Sequence, residues 1–378
     1  MIRSTVARVD LAALQSNFRA IREFLGKPGP AILAVVKANA YGHGAGAVAL
    51  ALEQAGATML ACADIEEGIV LRRSGVTRPI LVFGALSVSD LDGVFEFGLT
   101  PTISSPSAAK AVQAAASKRA MTIGYHLKID TGMNRLGFRH DNVGRTLPPV
   151  VASPNLRLDA VFTHFASADV PESPLLDTQR ERFERAAAIV NELAKTTVRR
   201  HACNSAALLR DSRVWYDAVR PGLLLYGIVP PPLATTIPLR PVMSLTSRVT
   251  AVKGLRPGEG VGYGWRFQAD GARSIAIVPA GYADGLDARL GGRGAVLIRG
   301  HRVPVVGAVS MDMITVDVTG LDDVVPGDEV VILGAQGDEA WQRIDAREMA
   351  ASIGTIPWEI VCRLGTRVER QYTDMGPV

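Results

Sequence analysis

Eight short apolar runs, most of them followed by a stretch with helical spacing, constrain this chain more than any other feature. They are AILAVVK (31–37), TMLACA (58–63), PILVFG (79–84), LTPTIS (99–104), IGYHLKID (123–130), LRLDAVFTHF (156–165), VRRHACN (198–204) and YDAVRPG (216–222). Runs this short and this continuously apolar suit strands covered on both faces, and such strands belong to parallel sheets. EEGIVLRRSG, SAAKAVQAAASKRA and QRERFERAAAIVNELAK supply intervening helical patterns. Eight β/α units in roughly 200 residues are the signature of a closed parallel barrel ringed by helices. A leading helix is predicted for LAALQSNFRAIREFL, with Leu11, Leu14, Phe18, Ile21 and Leu25 on one face and Asp10 as its N-cap.

The character changes after IVPPPLATTIPLRP, which holds five prolines in fourteen residues and reads as a linker. Beyond it, VMSLTSRVTAVKGL, SIAIVPAGY, GAVLIRGHRVPVVGAVS, MITVDVT and DEVVILG are β-rich pieces broken by Gly, Pro and Asp. The expected fold class is therefore α/β: a (β/α)8 TIM-like barrel over residues 1–235, then a mostly β C-terminal domain over 236–378. Packing of the first ten or so residues against the second domain is left open.

With 378 residues, 48% of them apolar, the chain can bury a sizeable core. A net charge of +4 without basic blocks speaks against a nucleic-acid platform. Cys62, Cys203 and Cys362 lack metal-ligand spacing and read as buried thiols in a reducing compartment, so no metal is expected. The N-terminal MIRSTVARVDLAAL lacks the apolar core of a signal peptide, and no apolar run approaches the roughly 18 residues of a membrane span. A cytoplasmic protein without membrane partners is expected.

In such a barrel the C-terminal ends of the strands carry the functional residues. Lys37, Lys128, Asp130, His164, Asn204, Ser205 and Arg220 all fall at such ends. Lys37 is either a lysine that snorkels to solvent or a nucleophile for a carbonyl, activated by a low-dielectric, cationic setting. Loops after the seventh and eighth strands often hold a phosphate in barrels. Here those loops offer Ser205, as the cap of a short helix, and Gly222, where backbone can approach closely. A phosphate anchor beside a Schiff-base lysine suggests pyridoxal phosphate. Arg220 would then lie near its ring, or else pair with a neighbouring acid.

The stretch AVVKANAYGHG resembles the cofactor-lysine signature of bacterial alanine racemases. The resemblance continues in order through LKIDTGMNRLGF (127–138), FTHFASAD (162–169), HACNSAA (201–207), VRPGLLLYG (219–227), GEGVGYGWRF (258–267), PAGYADG (279–285), VGAVSMDM (306–313) and GTIPWEIVCRL (354–364). It implies a racemase for alanine that uses pyridoxal 5′-phosphate and works as a homodimer with shared sites. Lys37 would hold the cofactor covalently and act as one base, and Tyr263 of the partner subunit as the other. His164 would orient that phenol, and Arg220 would hydrogen-bond the pyridine nitrogen. Tyr41, Asn204, Ser205, Gly222 and Leu223 would form the phosphate side. Arg135 would meet the cofactor and the substrate carboxylate, Met311 and Asp312 of the partner subunit would help bind that carboxylate, and Tyr282 would line the entrance. Lys128 matches a lysine that the family often carries as a carbamate.

Two positions depart from the family pattern. Trp358 stands where a tyrosine usually contacts the phosphate, and Ala288 stands where an arginine usually lines the entrance. A decarboxylase of basic amino acids on the same plan would pair the pyridine nitrogen with a carboxylate, which Arg220 disfavours. A non-catalytic cofactor-binding barrel would need no second domain.

Overall fold

A computed structural model describes residues 4–86, 91–337 and 342–373. The chain begins with strand β1 (Val6–Asp10) and a helix over Leu11–Phe24. A barrel follows, built from β2 (Ala31–Val35), β3 (Met59–Cys62), β4 (Ile80–Val82), β5 (Thr100–Ile103), β6 (Ile123–Asp130) with the short β7 (Phe138–Arg139) beside it, β8 (Leu156–Phe162), β9 (Arg199–His201) and β10 (Ala218–Val219). Leaving β7 aside, eight strands pair in parallel, in chain order, and β10 closes the ring against β2. Each of the eight apolar runs contains one of them.

The leading helix forms for the reasons its sequence gives. The Asp10 carboxylate accepts the Ala13 N–H at 2.7 Å, and Leu11, Leu14, Phe18 and Ile21 are buried. Each such side chain contributes roughly 1.5–3 kcal/mol by leaving water. Residues 228–242 contain no helix or strand, as five prolines in 228–241 dictate.

The second unit is a ten-stranded sheet with one small hairpin beside it. β1 belongs to this sheet. It pairs antiparallel with Met243–Arg248 and parallel with Glu369–Thr373. The hairpin joins Gly260–Val261 to Phe267–Gln268 and carries Tyr263 in its turn. A helix of the second unit, Pro357–Cys362, packs on the barrel mouth next to Lys37. Gly42, at φ +79°, lies so close to the Val361 carbonyl that a Cβ would collide with it. Among the described residues no helix is long and apolar enough to cross a membrane.

Candidate active site

β2 delivers Lys37, half-buried, to the mouth of the barrel. Burial holds its amine below the ordinary lysine value. Arg135 and Arg220 act in the same direction, and Glu67 opposes them. The next four residues, Ala38 to Tyr41, all adopt φ +53°. A left-handed turn of L-residues costs roughly 1–2 kcal/mol per residue, so its surroundings must enforce it. The Asn39 carboxamide oxygen accepts the Ala45 N–H at 2.8 Å, and the Asn39 carbonyl accepts the Gly44 N–H at 2.9 Å. His43 Nδ1 lies 3.0 Å from the Ala40 carbonyl and 2.8 Å from the Tyr41 carbonyl. Carbonyls only accept, so that nitrogen carries the proton. Tyr41 packs on Tyr226 with ring centroids 4.9 Å apart, and the Tyr226 hydroxyl donates to the Val35 carbonyl at 3.0 Å.

Across the mouth lie groups that could hold an anion. The Ser205 hydroxyl oxygen accepts the Gly222 N–H at 2.9 Å, which leaves the hydroxyl proton to donate elsewhere. Leu223 opens a 3-10 turn, so its N–H has no acceptor within that turn. A Cβ on Gly222 would overlap the Tyr41 hydroxyl. Here the structure corrects one expectation. Ser205 does not cap the short helix Ser205–Arg210; Asn204 does, accepting the Ala207 N–H at 3.0 Å. Either side chain can cap, and the chain turns Ser205 toward Gly222 instead.

Arg220 follows β10 and is buried. It donates to the carbonyls of Thr163 (2.8 Å) and Ala202 (2.9 Å) and to His201 Nδ1 (2.9 Å), with a longer 3.4 Å contact to His164 Nδ1. It has no carboxylate partner among the described residues, and burial pushes its pKa down to about 10. It is therefore still a cation at neutral pH, with its Nε–H left to donate. A guanidinium donates and never accepts, which fixes its neighbours' tautomers. His201 must carry its proton on Nε2, which lies 2.9 Å from His126 Nδ1, so His126 is also protonated on Nε2. By the same argument His164 presents an Nε2–H donor. Lys128 is buried with its amine 4.8 Å above the Phe162 ring and no ion-pair partner among the described residues. Burial, then Arg220 and Arg135, holds that amine well below its ordinary value.

This interior predicts acid lability. Burial pushes His43 and His126 from 6.5 down to about 4. Burial, then the Arg220 charge, holds His164 and His201 well below the ordinary range. Below pH 6.5 the unfolded chain takes up protons that the folded chain refuses. Stability therefore falls as pH drops from 6.5 toward 4, on the order of 3 kcal/mol for each of His43 and His126. Melting temperatures measured from pH 7 to pH 5 should decline, and His126→Gln should flatten the slope. An identical slope in the variant would contradict the assignment.

The remaining site candidates divide between the barrel rim and the second unit. Arg135 is exposed in the loop after β6, a loop ordered by Asp130, whose carboxylate accepts the Gly132 and Asn134 N–H groups at 3.0 Å each. Tyr263 is 77% exposed on its hairpin. Tyr282 and Met311 are exposed neighbours: the Tyr282 N–H donates to the Ser310 carbonyl and the Ala283 N–H to the Met311 carbonyl, each at 3.0 Å. The Asp312 carboxylate accepts from Arg367 at 2.7 Å. Trp358 is half-buried in the helix beside Lys37. Next to Ala288, Arg289 is tied back to Asp287 at 2.7 Å and does not extend alone. The structure thus brings together Lys37, Tyr41, His164, Ser205, Arg220 and Gly222, with Arg135 and Lys128 alongside. It leaves Tyr263 and Met311 on an open face of the second unit. The sequence motifs do not single out His126 and His201, which are buried. Their signal was inward alternation along β6 with Lys128, and the first position of HACNSAA.

Comparison with known proteins follows the same two units. Residues 9–230 match the model of the alanine racemase N-terminal domain, and 242–372 that of the alanine racemase C-terminal domain. The alanine racemase of Symbiobacterium thermophilum is 41% identical over 98% of this chain and 97% of its own. The crystal structure of alanine racemase from D-cycloserine-producing Streptomyces lavendulae superposes with a TM-score of 0.94 at 35% identity, covering 99% of this chain and 98% of that one. Alanine racemase from Bartonella henselae, solved with covalently bound pyridoxal phosphate, gives 0.87 at 29% identity over 98% of this chain and 99% of that one.

Proposed function

The chain belongs to the alanine racemase family and is an isomerase of that kind; from that premise we propose that it interconverts L- and D-alanine with pyridoxal phosphate and two bases, Lys37 and Tyr263 of the partner subunit. The residues at the mouth fit that cofactor. Lys37 offers an amine for its aldehyde, the Ser205 hydroxyl and the Leu223 N–H offer donors for its phosphate, and the room at Gly222 lets Tyr41 close over it. Asn204 supports this side by holding the Ser205 helix. Arg220 offers the pyridine nitrogen a donor that keeps its own proton, which disfavours protonating that nitrogen. When bound, pyridoxal phosphate acidifies the Cα–H of an attached amino acid by drawing electrons into its ring.

The chain's own residues handle the proton. Racemisation needs a proton removed from one face of Cα and another returned to the opposite face, and a single base would tend to return the same enantiomer. Lys37, its amine favoured in the neutral form by burial and two arginines, accepts or returns a proton on one face. Tyr263 of the partner subunit serves the other, held by the Nε2–H of a neutral His164. Arg135 takes the substrate carboxylate, together with Met311 and Asp312 of the partner subunit. Tyr282 lines the way in. A carbamate on Lys128 would turn a buried amine into an anion able to steady Arg135. We assign residues 1–235 to the cofactor-binding unit, apart from β1, which pairs within the second sheet, and 236–378 to the unit that completes the partner's site.

One observation carries this reading. The mouth holds a buried donor set around Lys37, while a 77% exposed phenol stands on the second unit of the same chain. A phenol so exposed is not packed on its own His164. The same unit also exposes Met311, Met313 and Tyr282, and exposed apolar side chains of this kind are expected to be covered by a second copy. The test is chemical. Borohydride reduction of the loaded protein, followed by peptide mapping, should place the cofactor on Lys37, and polarimetry should show L-alanine losing optical activity. Cofactor on another lysine, or no change in rotation, would defeat the proposal.

A further inference from the structure

We propose that Glu67 is a positioning residue for Lys37, clamping the Lys37–Ala38 peptide at the entry to the left-handed turn. This rests on the reading of Lys37 as the cofactor-bearing lysine. Glu67 lies in the first turn of the helix Ile65–Arg73, whose N-cap Asp64 accepts the Glu67 N–H at 2.8 Å. One Glu67 oxygen accepts the Ala38 N–H at 2.6 Å, and the other accepts the Ala63 N–H at 2.8 Å. A single carboxylate thus joins the chain just past β2 to the chain just past β3.

The clamp falls where the backbone needs it. Ala38 is the first of four residues at φ +53°, and its N–H belongs to the peptide that carries Lys37. The far end of the turn is held by Asn39 through the Ala45 and Gly44 N–H groups. Without Glu67 the near end would lose its charge-assisted bond, the stronger class of hydrogen bond. The turn could then relax toward the right-handed region, swinging the Lys37 side chain.

Glu67 also differs in charge from the other groups that act on the amine. Arg135 comes from the loop after β6, Arg220 from the end of β10, His164 from the end of β8 and Cys362 from the second unit's helix. The arginines are cations and His164 is neutral. The Cys362 thiol, pushed up to about 11 by burial, is also neutral at physiological pH. That leaves Glu67 as the negative charge among the groups that act on Lys37.

The test uses the full-length protein stripped of cofactor with hydroxylamine. Pyridoxal phosphate is added, its attachment is trapped with borohydride at successive times, and Lys37-modified peptide is quantified across pH. The plateau rate at high pH, where the amine is fully neutral, reads geometry; the midpoint of the rate–pH curve reads charge. Glu67→Ala should lower the plateau about 10-fold, as expected for a lost hydrogen bond to a charged group. Glu67→Gln keeps the volume and one acceptor and should recover part of that loss. Its midpoint should move at least about half a pH unit lower, because the charge that favours the ammonium is gone. A Glu67→Ala plateau within twofold of wild type would overturn the proposal. If that variant does not fold, an unchanged Glu67→Gln midpoint would overturn it. Wild-type attachment on a lysine other than 37 would sink the underlying reading instead, and the two failures are distinguishable.

Discussion

Lys37→Ala is expected to lower racemisation about 10⁴-fold or more in both directions, since it removes at once the covalent hold on the cofactor and one of two acid–base groups. The fold should survive the change. Lys37 makes no ion pair among the described residues, and its half-buried amine lies near Arg135 and Arg220, which repel it. Truncating a half-buried side chain that makes no ion pair removes little from stability. The melting temperature should therefore stay close to wild type while the rate collapses. The check is initial rates from L- and D-alanine, with bound cofactor measured on the same sample. Racemisation within about 100-fold of wild type would mean that Lys37 is neither anchor nor base.

Tyr263→Phe should cost about 10²–10⁴ in rate, the usual worth of a positioned acid–base group. The substitution keeps the ring and removes one hydroxyl from an exposed residue, so neither the hairpin nor the sheet should weaken. The two directions should differ in kcat, with KM shifting to match because their kcat/KM values are tied by an equilibrium constant of one; Lys37 and Tyr263 serve different faces of Cα, and each enantiomer presents its proton to one of them. Rates from each enantiomer in heavy water separate the two faces, since solvent hydrogen enters from the side of the donating base. Near-wild-type rates in both directions would remove Tyr263 from the mechanism.

Much of this is legible in the sequence. The barrel strands follow from eight continuous apolar runs, because a strand covered on both faces has no polar side to display. Asp10 as a cap and the Leu14–Phe18–Ile21 face follow from local rules that tertiary packing did not overrule. Lys37, His164 and Arg220 were visible because strand ends in a barrel converge on one mouth.

The features that escaped are those set by non-local contacts. The sequence leaves open whether the first ten or so residues pack on the second domain; β1 does, but its strand partners, at 243–246 and 369–373, are not readable there. The left-handed turn at Ala38–Tyr41 contains no glycine, the residue that would announce such a backbone. The choice of Asn204 over Ser205 as cap depends on where Gly222 sits, seventeen residues from Ser205. Glu67 looks like any acidic residue in a helix's first turn until Ala38 is seen against it.

The claim on which the account turns is that one chain's lysine works with another chain's phenol. The most direct measurement mixes inactive Lys37→Ala protein with inactive Tyr263→Phe protein under conditions where subunit exchange is demonstrated. In a twofold dimer each hybrid holds one intact site and one doubly defective site. Equal mixing should then restore about a quarter of wild-type activity. Activity that stays at the level of the separate variants, with hybrids present, would show that each chain supplies both groups to its own site.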